Sequence, residues 1–257
     1  MDWVIIALAG FIGGMLNAVA GGGSFITLPA LIFVGIPPII ANATGTAALL
    51  PGYIASAWRF RKDVTLPASL SFIHIFLLAI AGGSIGAVIL LMSSEQVFSY
   101  LIPWLILFAT LAFIIGPTLI KNNGANKSNS NNIDKLSVKT TVGTSLVLLG
   151  ICIYGGYFNG GLGIIVLAAL VLMGQTNLHG MNGLKNVLSA ILTVVAVCIY
   201  AAGGTLSFKY LAVMSIAAVI GGYLGAVVAY RLSQKYLRYF IVTVGCIMSV
   251  VFFYKNS

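Results

Sequence analysis

"LPASLSFIHIFLLAIAGGSIGAVILLMSSEQVFSY", residues 66–100, settles what class of protein this is. Its first 27 residues, Leu66 to Met92, carry no Asp, Glu, Lys or Arg. A helix needs about 20 apolar residues to cross the hydrocarbon core of a bilayer, and this run supplies them. The next run, "VFSYLIPWLILFATLAFIIGPTLI" (97–120), is as long, and others follow. Of the 257 residues 60% are hydrophobic and 7% charged, with a mean hydropathy of +1.09. Soluble domains are nearer a quarter charged, so the chain reads as an all-α polytopic membrane protein. The first run starts at Trp3 behind Asp2, without the basic n-region and small-residue cleavage site of a signal peptide, and is expected to be a retained span.

The end of the opening stretch also carries a repeat. "GGSIGAVILLMSSEQVFSY" (82–100) aligns with "GGYLGAVVAYRLSQKYLRY" (221–239) at a shift of 139, with seven of 19 positions identical. At a shift of 140, "AGGGSFITLPALIFVG" meets "GGLGIIVLAALVLMGQ", pairing Gly21 with Gly161, Gly23 with Gly163 and Asn42 with Asn182. Between the two copies lies the Asn-rich stretch "KNNGANKSNSNNIDK" (121–135), the composition of a solvated linker. Two homologous halves are expected: a first transmembrane repeat over 1–120, a polar cytoplasmic linker over 121–138, and a second repeat over 139–257.

Each half reads as one long span, a glycine break, a short apolar piece and three further spans. The short pieces, roughly 24–35 and 160–173, make only about 18–21 Å of helix against a core of about 30 Å, so they are broken or re-entrant elements. Charge placement weighs these options, because cytoplasmic loops collect Lys and Arg. With five crossings per half, ten basic residues share one side: Arg59, Arg61, Lys62, Lys121, Lys127, Lys135, Lys139, Arg231, Lys235 and Arg238. Lys209 and Lys255 fall on the other. With four crossings per half the split becomes nine against three. About ten crossings in two inverted repeats are therefore expected, with a parallel duplication of eight as the alternative. The net charge of +9 is read in the same way, as topology determinants beside anionic membrane lipid and not as a nucleic-acid surface.

Irregular backbone at membrane depth is tolerated only where protein or a water-filled cavity satisfies its polar groups. "AGGGSF" is expected to start a helix near Ser24, and "FNGGLGI" another near Gly161, each offering a helix N-terminus to an anion. The matched glycines "GGSIGA" and "GGYLGA" lie inside full-length spans and are expected to serve close helix packing. Past the first short piece, Asn42 and Thr46 share a helical face while Thr44 lies across from them. In the second half Asn182, Lys185 and Asn186 are spaced to converge.

Lys185 has no acidic residue within 40 positions, and the chain's side-chain carboxylates are those of Asp2, Asp63, Glu95 and Asp134. An ammonium at the centre of an apolar span costs roughly 2.5–3.5 kcal/mol and needs a partner. Either Lys185 snorkels to the interface or an anionic substrate balances it. His179 reads as an interfacial polar residue and His74 as a hydrogen-bonded structural one. Cys152, Cys198 and Cys246 lie in apolar runs without metal-ligand spacing, and no carboxylate lies deep in a span, so neither a metal site nor a cofactor is expected.

"NAVAGGGSFITLPALIFVGIPPIIANATGTAAL" and "GGYFNGGLGIIVLAALVLMGQTNLHGMNGLKNVLSAI" resemble the sulfite exporter TauE/SafE family of membrane permeases over nearly the whole chain. "GMNGLKN" departs from the small residues more familiar before the Asn. The resemblance implies a secondary carrier for a small sulfur-containing or organic anion, sulfite or a sulfonate among them, in a bacterial inner (plasma) membrane. Under it, segments 17–31, 41–46, 157–163 and 182–186 line the path. The expected substrate-binding residues are Asn17, Gly22, Gly23, Ser24, Asn42, Thr44, Thr46, Asn159, Gly161, Asn182, Lys185 and Asn186, and a homodimer is allowed. The alternatives are an anion channel and, from Ser24 in its glycine-rich break with His74 or His179, an intramembrane serine protease. "GGGSF" is not the G-x-S-x-G elbow, and no acid orients such a pair, so the chain is expected not to be an enzyme.

Overall fold

The computed structural model describes residues 1–67, 70–126, 138–173, 175, 177–228 and 234–256. Most of the stretch expected as a linker, and the side chains of His179, Arg231, Lys235 and Arg238, lie outside the described residues.

Ten helices follow one another among the described residues: α1 (Asp2–Ala20), α2 (Ser24–Phe33), α3 (Pro38–Phe60), α4 (Phe72–Met92), α5 (Glu95–Asn126), α6 (Val138–Tyr157), α7 (Leu162–Leu172), α8 (Leu178–Ala202), α9 (Phe208–Val228) and α10 (Gln234–Asn256). Five of them, α1, α4, α5, α8 and α9, are long and apolar enough to cross a membrane. α2 and α7 have 10 and 11 residues, about 15–17 Å of helix. α5 runs six residues beyond the expected span, through Asn126.

The breaks have local causes. Gly21 ends α1 in the left-handed conformation at φ 79°, its N–H donating to the Asn17 and Leu16 carbonyls, a position where a side chain would be strained. Gly161 plays the reciprocal part at the start of α7 with φ 72°, and Asn159 just before it is also left-handed at φ 58°. α2 stops at Phe33, after which Pro37 and Pro38 set the start of α3, and the Glu95 carboxylate accepts the Ile39 N–H at 3.0 Å.

Contacts fix the direction of each helix. α1 and α9 run parallel, with Gly10 against Met214 and Gly14 against Ala218, while Gly221 and Gly225 of α9 meet Phe11 and Met15. α4 and α6 run parallel in the same manner, Gly82 against Cys152 and Gly86 against the Ile153–Tyr157 turn. At these glycines a Cβ would strike the neighbouring helix, which is the packing role expected for "GGSIGA" and "GGYLGA". α2 doubles back along α1, bringing Thr27 and Gly23 against Gly13. α3 then starts at the end where α1 starts: Thr44 meets Ser207 there, and Trp3 stacks edge-on against Tyr210 at 5.0 Å. The chain therefore alternates direction through all five elements of the first half, and α6 begins the second half at the end opposite to α1.

That opposite end carries Arg59, Arg61 and Lys62 and is called the basic side below. The core is shared between halves: α1 packs on α9, α6 on α4, α3 on α8 and α5 on α10. Large apolar side chains such as Ile73, Leu77, Trp58, Ile216 and Ile220 face outward, the surface a lipid solvent requires.

Candidate functional site

The two glycine breaks meet inside the molecule. Gly21, at the end of α1, lies backbone on backbone against Gly163, in the first turn of α7. Gly23 fits between the Gly13 carbonyl, the Asn17 Cβ and the Leu49 side chain, and Gly161 sits against Ala109 and the Phe25 ring. Three N–H groups of the α2 first turn are taken locally: Phe25 donates to the Gly22 carbonyl, Ile26 and Thr27 to that of Gly23.

Lys185 reaches this junction from α8. Its stem runs over Gly163, where a Cβ would come within 3.0 Å of the Lys185 Cδ. The side chain is fully buried, so it does not snorkel. Its Nζ donates to the Ala18 carbonyl at 3.4 Å and to Asn182 Oδ1 at 3.2 Å. Both acceptors are neutral. An ammonium withdrawn from water with only neutral partners among the described residues costs several kcal/mol.

Neutral polar groups extend the site along α8 and α3. Asn186, Ser189 and Thr193 on α8 are each fully buried, and both ends of the Asn186 carboxamide and both hydroxyls lack a partner among the described residues. On α3, Thr46 and Ser56 are buried with unpartnered hydroxyls. At the breaks, Asn17 Oδ1, Ser24 Oγ, Thr27 Oγ1 and Asn159 Nδ2 are in the same condition. Buried polar atoms usually find a partner, and these have none among the described residues. Tyr53, also fully buried, donates to Asn159 Oδ1 at 3.1 Å and adjoins the Asn17 side chain, joining α1, α3 and the α6–α7 break.

Of the residues expected from sequence, Asn17, Gly23, Ser24, Asn159, Asn182, Lys185 and Asn186 belong to the two breaks and the α8 face that meets them. Gly22 is buried there and serves through its carbonyl. Thr46 lies on the α3 polar face. Three others are engaged with backbone: Asn42 Nδ2 donates to the Tyr157 carbonyl at 3.0 Å, the Thr44 hydroxyl accepts the Ser207 N–H at 2.9 Å, and Gly161 shapes the turn into α7. Tyr53, Thr27, Ser56, Ser189 and Thr193 were not singled out from sequence. A signal existed: Asn182, Asn186, Ser189 and Thr193 recur at helical spacing, and Asn42, Thr46, Tyr53 and Ser56 form the corresponding stripe on α3.

His74 shares a hydrogen bond with Ser71, the N-cap of α4, at 2.8 Å on an exposed surface, whereas Ser24 is buried with an unpartnered hydroxyl, so the two do not form a nucleophile–base pair. Among the described residues no cluster of three or more His, Cys, Asp or Glu side chains is placed to hold a metal.

The family model for the sulfite exporter TauE/SafE matches residues 6–252. A "Probable membrane transporter protein" of Haemophilus influenzae is 26% identical over 260 residues, covering 98% of this chain and 95% of its own length. The "Probable membrane transporter protein YfcA" of Escherichia coli K12 is 23% identical, covering 98% and 90%. A third relative, "Probable membrane transporter protein ORF9" of a Sinorhizobium species, is 28% identical over 69% of this chain and 62% of its own. With the apolar helices and their outward-facing side chains, these matches make the chain an integral, multi-pass membrane protein of a transporter family. It belongs to the sulfite exporter TauE/SafE family.

Proposed function

We propose that the protein is a secondary carrier for a small anion, sulfite, a sulfonate or a related sulfur-containing or organic anion, and that it works by alternating access in a bacterial plasma membrane. The observation that carries this is Lys185: a fully buried amino group whose acceptors among the described residues are both neutral, at the junction of two backbone breaks. An anion supplies the missing charge, and the unpartnered amide and hydroxyl groups of Asn186, Ser189 and Thr193 supply the directional bonds. The alternating helix directions and the cross-packing of α1 on α9 and α6 on α4 support two inverted halves, the arrangement on which alternating access is commonly built. Arg59, Arg61 and Lys62 support a cytoplasmic orientation for the basic side, because cytoplasmic loops collect Lys and Arg.

Counterflow in proteoliposomes tests the reading. Vesicles holding purified protein are loaded with sulfite, thiosulfate, a sulfonate or a carboxylate, and uptake of the labelled anion is followed. Accumulation driven by at least one of these, and lost in Lys185→Ala, is the expected result. Full flux in Lys185→Ala removes the proposal.

A further inference from the structure

The connections between the third and fourth helices of the two halves do the same thing at opposite ends of the molecule. On the basic side, residues 61–67 lie across the start of α8: a Cβ on Gly180 would come within 2.8 Å of the Asp63 carbonyl, and one on Gly183 within 3.3 Å of the Val64 Cα. Gln175, just before α8, fastens this strap twice, its Nε2 donating to the Leu66 carbonyl at 2.7 Å and its Oε1 accepting from the Thr65 hydroxyl at 3.2 Å. Directly beneath, Phe60 packs on Ala18, whose carbonyl holds Lys185. At the other end, residues 203–207 lie across the start of α3, where the Ser207 N–H donates to the Thr44 hydroxyl at 2.9 Å. Gly183 and Thr44 stand at nearly equivalent places in the aligned halves, since Gly183 matches residue 43 at the shift of 140.

We propose that these two straps are the gates of the carrier, with Gln175 and Thr44 as the positioning residues that latch them, and that both are shut here. The assignment rests on the alternating-access reading above. Each strap joins two helices of one half and presses on the third helix of the other, so any relative movement of the halves must peel one strap away. The latches are unequal. Among the described residues the basic-side strap has two side-chain bonds from Gln175 and close backbone packing on two glycines, whereas the opposite strap is tied to α3 by the bond to Thr44. The strap at 203–207 is therefore the one that releases first, and the substrate-free carrier opens more often to the side away from the basic cluster.

Cysteine accessibility tests this without reference to the transported anion. Ser189→Cys, in a chain with Cys152, Cys198 and Cys246 replaced by Ala, is labelled with a membrane-impermeant methanethiosulfonate applied to one face of the vesicles at a time. Faster labelling from the side opposite the basic cluster is expected with no latch mutated. Gln175→Ala, which removes two bonds, should raise the basic-side rate alone by about 25-fold, and Thr44→Ala, which removes one, the opposite-side rate alone by about five-fold, at about 1 kcal/mol per hydrogen bond. Thr44→Ser, which keeps the hydroxyl, should restore the slow rate, separating a latch from a folding defect. Equal rates from both faces, or a latch mutation that accelerates both faces together, overturns the proposal. A carrier that moves none of the tested anions but labels in the expected pattern removes the anion reading and leaves the gates standing.

Discussion

Gly21 and Gly163, one from each break, touch through their backbones: a Cβ on Gly163 would lie 2.7 Å from the Gly21 Cα. Overpacking a contact of this kind costs about 1–3 kcal/mol, so Gly21→Ala and Gly163→Ala should each lower the thermal stability of the purified protein by that much. Gly21→Ala should be the worse of the two, because its φ of 79° adds backbone strain. Gly35 has φ 87° but nothing within 4 Å of a would-be Cβ, so Gly35→Ala isolates the backbone part, about 1 kcal/mol. Equal damage at Gly35 and Gly163 would mean that close approach is not what the breaks are for.

Replacing Lys185 by Met keeps the stem that lies over Gly163 and removes the charge. Exchanging a buried charge for an apolar side chain of similar size is often neutral or stabilising by about 1–4 kcal/mol, so the Lys185→Met protein should melt at or above the wild-type temperature. It should also lose the rise in melting temperature that a bound anion gives the wild type. A protein that melts lower and still responds to anions would assign Lys185 a structural role only.

Tyr53→Phe leaves the ring in its contact with Leu49, Ala218 and Ala190 and deletes the bond to Asn159. Because Asn159 Nδ2 already lacks a partner, the whole carboxamide is then unsatisfied, at a cost of about 1–3 kcal/mol. A double-mutant cycle with Asn159→Ala, read by denaturation, should return a coupling of about 0.5–3 kcal/mol. A coupling near zero would show that the phenol and the amide act independently.

Glu95→Gln tests the start of α3. Its carboxylate caps the Ile39 N–H from the first turn of α5, and replacing it with a neutral amide should cost about 0.3–1 kcal/mol by thermal unfolding. Anion flux should be unchanged, since Glu95 takes no part in the Lys185 junction.

The class of the chain and the start of α2 at Ser24 were legible because length, apolarity and glycine runs act locally. Lys185 stood out for the same reason, as a charge in an apolar stretch with no acid near it in sequence. What the residues could not disclose is which distant surfaces meet. Aligning the halves pairs Gly21 with Gly161 and Gly23 with Gly163, yet the contact is Gly21 with Gly163: an alignment gives equivalence between copies, whereas contact depends on how the copies are turned against each other. Thr44 reads as a site residue until Ser207, 163 positions away, is brought onto its hydroxyl. Tyr53 passes for one more aromatic in an apolar helix until its hydroxyl is seen between two asparagines of different breaks.

The exchange of partners between halves also governs how the chain is made. α1 finds its long glycine-lined contact only on α9, and α4 finds its own on α6, so neither half can complete its interior when it leaves the ribosome. During synthesis that partner becomes available to α1 only once α9 has been made. Two separately translated pieces, 1–126 and 138–257, should therefore meet in the membrane and rebuild the protein, while either piece alone remains unfinished.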